Sequence, residues 1–102
     1  MADTARLFVD GAWADAASGA TFTADSPATG EAIAEVSEGG REDAQRAIAA
    51  ANDAAGTWAR TGAFERAGAM HRVADEVERR RDALTHTLTL DQGKPLSGSA
   101  GR

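Results

Sequence analysis

Apolar residues recur from Ala63 to Leu96 at Phe64, Ala67, Met70, Ala74, Val77, Leu84 and Leu88. Most of these spacings are three or four, which places the residues on one stripe of an α-helix. Gly93 supplies a stop, and Pro95 cannot continue the helix. A second stripe, Ala44, Ala47, Ile48, Ala51, Ala55 and Trp58, predicts an earlier helix that opens at Glu42-Asp43, where a helix N-terminus favours negative charge. Thr61-Gly62 is a short connection, and short connections imply antiparallel helices.

Upstream the period changes. Leu7-Phe8-Val9 and Ala12-Trp13-Ala14 flank Asp10-Gly11, a dipeptide suited to the positive φ angles of a type I′ hairpin turn. Thr21-Phe22-Thr23-Ala24 and Glu31 to Val36 alternate as strands around Ser26-Pro27-Ala28-Thr29-Gly30, with Pro27 and Gly30 at turn positions. In the second strand Ala32, Ala34 and Val36 share one face, and Glu31, Ile33 and Glu35 the other. The expected fold class is α+β, two β-hairpins followed by two antiparallel helices. Ser97-Gly98-Ser99-Ala100-Gly101-Arg102 has no periodicity and is expected to be a disordered tail over 97–102.

Composition limits what such a sequence can do. Its 102 residues make one domain or part of one, able to bury roughly 65% of the unfolded surface. Aromatic residues are only 5%, so alanine-rich faces must supply much of the core, and low stability is expected of the polypeptide alone. The net charge of −5 leaves no basic surplus for nucleic acid. No cysteine is present, which excludes a disulfide, a thiolate zinc site and a thiol nucleophile on this polypeptide. No apolar run reaches membrane-helix length and the N-terminus lacks a signal peptide, so no membrane partner and a cytoplasmic location are expected.

Candidate chemistry is sparse. His71 and His86 lie 15 positions apart, whereas paired zinc ligands on a helix need a spacing near four. Gly93-Lys94 has the end of a phosphate loop, but Leu88 stands where that motif needs glycine and Pro95 where it needs a hydroxyl. Ser97-Gly98-Ser99-Ala100-Gly101 misses a nucleophile elbow by one glycine. Arg79-Arg80-Arg81 reads as a solvated helix face balanced by Asp75, Glu76, Glu78 and Asp82. The expected pairs there are Asp75 with Arg79 and Glu76 with Arg80. Arg81 falls near the stripe, with its stem on Val77 and Leu84. Trp13 and Trp58 read as core or interface anchors. No catalytic, cofactor-binding or metal-binding residue is assigned.

The order of these elements is specific. Leu7-Phe8-Val9-Asp10-Gly11-Ala12-Trp13, Ser26-Pro27-Ala28-Thr29-Gly30-Glu31, and Arg41-Glu42-Asp43 opening an alanine-rich helix resemble the amino-terminal part of an aldehyde dehydrogenase. Phe64-Glu65-Arg66 and Leu88-Thr89-Leu90-Asp91-Gln92-Gly93-Lys94-Pro95-Leu96 extend the resemblance, which covers residues 6 to 96. It implies an NAD(P)-dependent oxidation of an aldehyde to a carboxylic acid, through a cysteine nucleophile and a glutamate base, in a dimer or tetramer. It also implies that residues 1–96 form the amino-terminal part of the dehydrogenase domain, packing as part of an α/β Rossmann-like cofactor domain. Ser26 departs from the asparagine common at that place. Some relatives hold a structural monovalent cation near the position of Asp25, but the other partners for it are missing here.

The family's catalytic groups and nucleotide-binding loops fall beyond position 102, and the Ser-Gly tail replaces an expected acidic helix, as a frameshift or truncated gene would. The expectation is therefore an amino-terminal piece, inactive by itself, with NAD or NADP bound by the full-length enzyme and by nothing here. Its partner would be the remainder of such an enzyme or a homologous subunit. The alternative is a small autonomous interaction module without catalysis.

Overall fold

A computed structural model describes residues 4–100. Residue contacts divide them into two compact units, one of residues 4–25 with 32–60 and the other of 26–31 with 61–100.

The first unit holds β1 (Thr4–Ala5), β2 (Leu7–Val9), β3 (Ala12–Ala14), β4 (Thr21–Asp25), β5 (Ala32–Ser37) and α1 (Arg41–Arg60). Strands β2 and β3 form the expected hairpin, in register Leu7↔Ala14, Phe8↔Trp13 and Val9↔Ala12. Asp10 and Gly11 take φ of 53° and 76°, the pair of positive angles that the type I′ turn requires. Strands β4 and β5 pair antiparallel, also as expected, with an irregularity at Ala24/Asp25 that sets Ala34 and Ala32 opposite successive residues. Thr21 and Thr23 donate their hydroxyls to Glu35 at 2.9 and 2.8 Å, a cross-strand cluster on one sheet face. The sequence pattern did not predict β1, which pairs parallel to β5 through Thr4↔Glu35 and Ala5↔Val36. Two residues are too few to show alternation. Helix α1 lies against β2, where Leu7 Cδ2 would stand 3.5 Å from a Cβ placed on Gly39.

The second unit holds the Ser26–Glu31 turn, α2 (Ala63–Arg79), α3 (Arg81–Gln92) and α4 (Leu96–Ala100). Ser26 N–H donates to Glu31 O at 2.8 Å and Gly30 N–H to Ser26 O at 2.7 Å, closing the turn. The single helix expected from 63 to 96 breaks at Arg80, whose φ of −97° and ψ of 13° leave the α-helical region. Residues Glu78 to Asp82 are all charged, so no apolar side chain anchors either turn at that point. Gly93 ends α3 in the left-handed conformation, φ 72°, with its N–H on Thr89 O, as its stop role demanded. The tail is a correction: Leu96–Ala100 is helical, where disorder was expected from residue 97. Ser99 N–H bonds Pro95 O, and the Thr89 and Ser99 hydroxyls meet at 2.8 Å, which ties α4 to α3. Gly101 and Arg102 lie outside the described residues.

The core is smaller than the apolar stripes implied. Among the described residues Ala16 is the one buried hydrophobic side chain. Phe64 is 97% exposed, Ile48 69% and Trp13 68%, so of the two roles expected for Trp13, core or interface anchor, its exposure removes the first. Trp58 is also exposed.

Candidate functional site

The first unit concentrates its polar organisation at the start of α1. Gly40 is the N-cap, because its carbonyl accepts the first helical N–H, that of Ala44. Asp43, three residues on, reaches back so that Oδ2 accepts the Gly40 N–H at 2.9 Å, half of a capping box. Its Oδ1 accepts the Ala17 N–H at 3.0 Å, and Arg46 Nη2 stands 3.4 Å from the same oxygen. Asp43 is buried, and Ser26 and Ser37 are the other buried polar residues among those described. The Gly40 and Ala17 N–H groups hold its carboxyl below the usual aspartate range. Arg46 helps, and partial desolvation opposes the shift. Sequence reading placed Asp43 only as a charge near a helix dipole. The Gly-x-x-Asp spacing was the available sign of its capping role; the bond to Ala17 had none.

The residues weighed for chemistry are not assembled into a reacting site. His71 on α2 and His86 on α3 are exposed, and no group of three or more metal-ligating side chains occurs among the described residues. Gly93-Lys94 stands between α3 and the short α4, where a phosphate loop would follow a strand. Ser97 and Ser99 sit within α4, and Ser99 is engaged with Thr89. Glu76 accepts from both Arg79 and Arg80. The Glu76–Arg80 pair was expected, whereas Arg79 turns to Glu76 in place of Asp75.

What the structure does present is apolar surface. In the second unit an open groove of ≈ 520 Å³ is lined by Val77, Leu84, Leu88 and Ala100, with Arg81 and Glu78 at its polar side. Arg81 thus lies beside the stripe, as its spacing indicated. In the first unit Leu7, Phe8 and Val9 face Gly39, Ala44 and Ala47 across a smaller groove. Phe8 and Trp13 pack with ring centroids 4.9 Å apart, tilted by 57°, on the exposed hairpin. Such faces can bind other protein surface.

Residues 13–102 match the aldehyde dehydrogenase family. The chain belongs to that family. It is similar to glutarate-semialdehyde dehydrogenase of Pseudomonas aeruginosa, with 42% identity over 96 residues, which is 94% of this chain and 20% of the relative. A solved NAD-dependent aldehyde dehydrogenase from Sinorhizobium meliloti superposes with a TM-score of 0.93 at 36% identity, covering 99% of this chain and 21% of that one. Betaine aldehyde dehydrogenase from Staphylococcus aureus, solved with NAD+, gives 0.89 at 39% identity over 93% of this chain and 20% of its own. The aldehyde dehydrogenase segment thus spans about a fifth of the length of these relatives. The hairpins and helices described above are a piece of the aldehyde dehydrogenase fold.

The start of α1 does not fit a pyrophosphate. Strand β5, Gly39-Gly40 and α1 have the strand–glycine–helix order that cradles a pyrophosphate elsewhere. Here the Gly40 N–H is already taken by the Asp43 carboxylate, and Glu42 and Asp43 put two acidic groups in the first turn. Phosphate would meet negative charge where it needs free donors.

Proposed function

We propose that the protein is the amino-terminal part of an NAD(P)-dependent aldehyde dehydrogenase that oxidises an aldehyde to a carboxylic acid. In this reading it contributes scaffold and no reacting group, and it is inactive by itself. The carrying observation is the match over residues 13–102 in a sequence without cysteine. A thiol nucleophile must therefore come from elsewhere in the enzyme. The remainder of the dehydrogenase polypeptide is the partner, and the exposed apolar grooves are the surface it would cover. NAD or NADP would bind that remainder, since the start of α1 repels phosphate. The acidic composition fits a cytoplasmic enzyme. The 42% identity to a glutarate-semialdehyde dehydrogenase makes a dicarboxylic semialdehyde the first substrate to try.

The test is complementation. The segment would be co-expressed with the Pseudomonas enzyme lacking its matching residues, and reduction of NAD or NADP followed with glutarate semialdehyde. Turnover by the pair and none by the segment alone is expected. A folded segment that leaves the truncated enzyme dead would overturn the scaffold reading. Hydride transfer by the segment alone would overturn the inactivity.

A further inference from the structure

The hairpin tip borders the alanine face of α1, and it carries reactive groups that the capping network does not use. Asp10-Gly11 occurs once in the sequence and forms the two-residue loop between β2 and β3. Both residues are exposed, and Asp10 is the one non-glycine residue with positive φ among those described. No hydrogen bond or ion pair of the described residues engages the Asp10 carboxyl group or the Gly11 N–H. Electrophile and nucleophile are therefore adjacent, solvated and free. Gly11 has no side chain to hinder approach to its nitrogen, and a Cβ built there would meet nothing within 4 Å. The ribbon that holds the turn has three residues per strand and only two strands, so few backbone hydrogen bonds fix the turn.

We propose that Asp10–Gly11 is a site of spontaneous aspartyl isomerisation, which converts the backbone link at residue 10 to an isoaspartyl link. The Gly11 amide nitrogen loses its proton to solvent and attacks Cγ of the protonated Asp10 carboxyl. The N–Cγ bond forms, and the carboxyl hydroxyl leaves with a proton as one water, giving a five-membered succinimide. One water then adds back. Opening of the Cγ–N bond restores aspartate, whereas opening of the bond between the Asp10 backbone carbonyl and the Gly11 nitrogen leaves Gly11 attached through Cγ. The balance is one water out and one in, with no oxidant or enzyme. The product carries an extra methylene in the backbone, and a two-residue type I′ loop cannot accommodate it. Isomerisation would therefore dissolve the Phe8↔Trp13 register.

The experiment ages the purified full-length polypeptide in warm neutral buffer. Isoaspartate is titrated with an isoaspartyl carboxyl methyltransferase and labelled methyl donor, and placed by peptide fragmentation. The expected result is accumulation at residue 10 severalfold faster than at any other aspartate or asparagine, including Asp25. Asp10→Glu and Asp10→Ser would abolish that signal, and the near-ultraviolet dichroism of the Phe8–Trp13 pair would fade with age only in the parent protein. If Asp10 stays intact in the folded protein while isomerising in urea, the turn protects the site and the proposal falls. Preferential isomerisation at another residue overturns it equally. Unchanged dichroism at full conversion would refute the loss of register.

Discussion

The Asp43 carboxylate accepts the backbone N–H of Ala17 at 3.0 Å, across 26 positions of sequence. With its second oxygen on the Gly40 N–H, one side chain both caps α1 and holds the loop between β3 and β4. Asp43→Ala removes the acceptor for both groups. Asp43→Asn keeps one acceptor oxygen but turns an NH₂ toward the other donor. Both variants should lower Tm, by about 4–8 °C for the alanine change. Thermal melts followed by far-ultraviolet dichroism check this, and an unchanged Tm would mean that the cradle carries no stability.

The same carboxylate fixes a pH dependence. Its folded-state pKa is depressed, chiefly by the Gly40 N–H and then by that of Ala17. Glu35, held down first by the Thr23 hydroxyl and then by Thr21, and Glu76, held down first by Arg79, shift the same way. A depressed carboxyl contributes stability that is present above its unfolded pKa and lost as pH falls through the folded one. Stability should therefore decline from about pH 4 downward, where unfolded carboxyls begin to take protons that the folded ones refuse. Asp43→Asn should flatten that decline, so the gap between parent and variant narrows in acid. A gap that stays constant with pH would refute the linkage.

Gly93 and Pro27 make a tight meeting in the second unit. A Cβ on Gly93 would stand 3.1 Å from Pro27 Cγ, and Gly93 φ is 72°. Gly93→Ala thus adds left-handed strain of about 1–2 kcal/mol and a contact that the proline ring must yield to. Pro27→Ala removes Cγ. In a double-mutant cycle by urea denaturation, Gly93→Ala should cost less in the Pro27→Ala background than in the parent. Strict additivity would show that the strain is purely backbone.

Local chemistry was legible wherever it was complete within a few residues. Asp10-Gly11 announced its turn, Gly93 its helix stop, and the alternation of residues 21–36 its hairpin, because turn angles and period-two faces are set by adjacent side chains. The order of such motifs was also enough to reveal the family. Four features were hidden, three of them because they depend on partners distant in sequence. Two-residue β1 has no period of its own and exists through β5. The break at Arg80 follows from missing apolar anchors around it, not from a glycine or proline. Helix α4 depends on a hydroxyl contact from Thr89, ten residues away. The Asp43–Ala17 bond is the extreme case, since nothing near Ala17 announces a partner.

The long stripe is divided between α2 and α3 at Arg80, and the exposure of its residues gives the last prediction. Phe64 at 97% exposed makes almost no contact that truncation could remove. In a closed core, Phe→Ala costs about 3–5 kcal/mol. Here Phe64→Ala should change stability by no more than about 0.5 kcal/mol, as for a surface site. Leu84→Ser and Leu88→Ser should likewise act more on surface than on folding, because both line the open groove. Binding of an environment-sensitive apolar dye by the isolated segment should fall with each serine, while urea midpoints move little. In the complemented enzyme the order should invert: dye binding is already low, and the serines weaken assembly and turnover. Serine variants that unfold the isolated segment would instead show that this face is part of its own core.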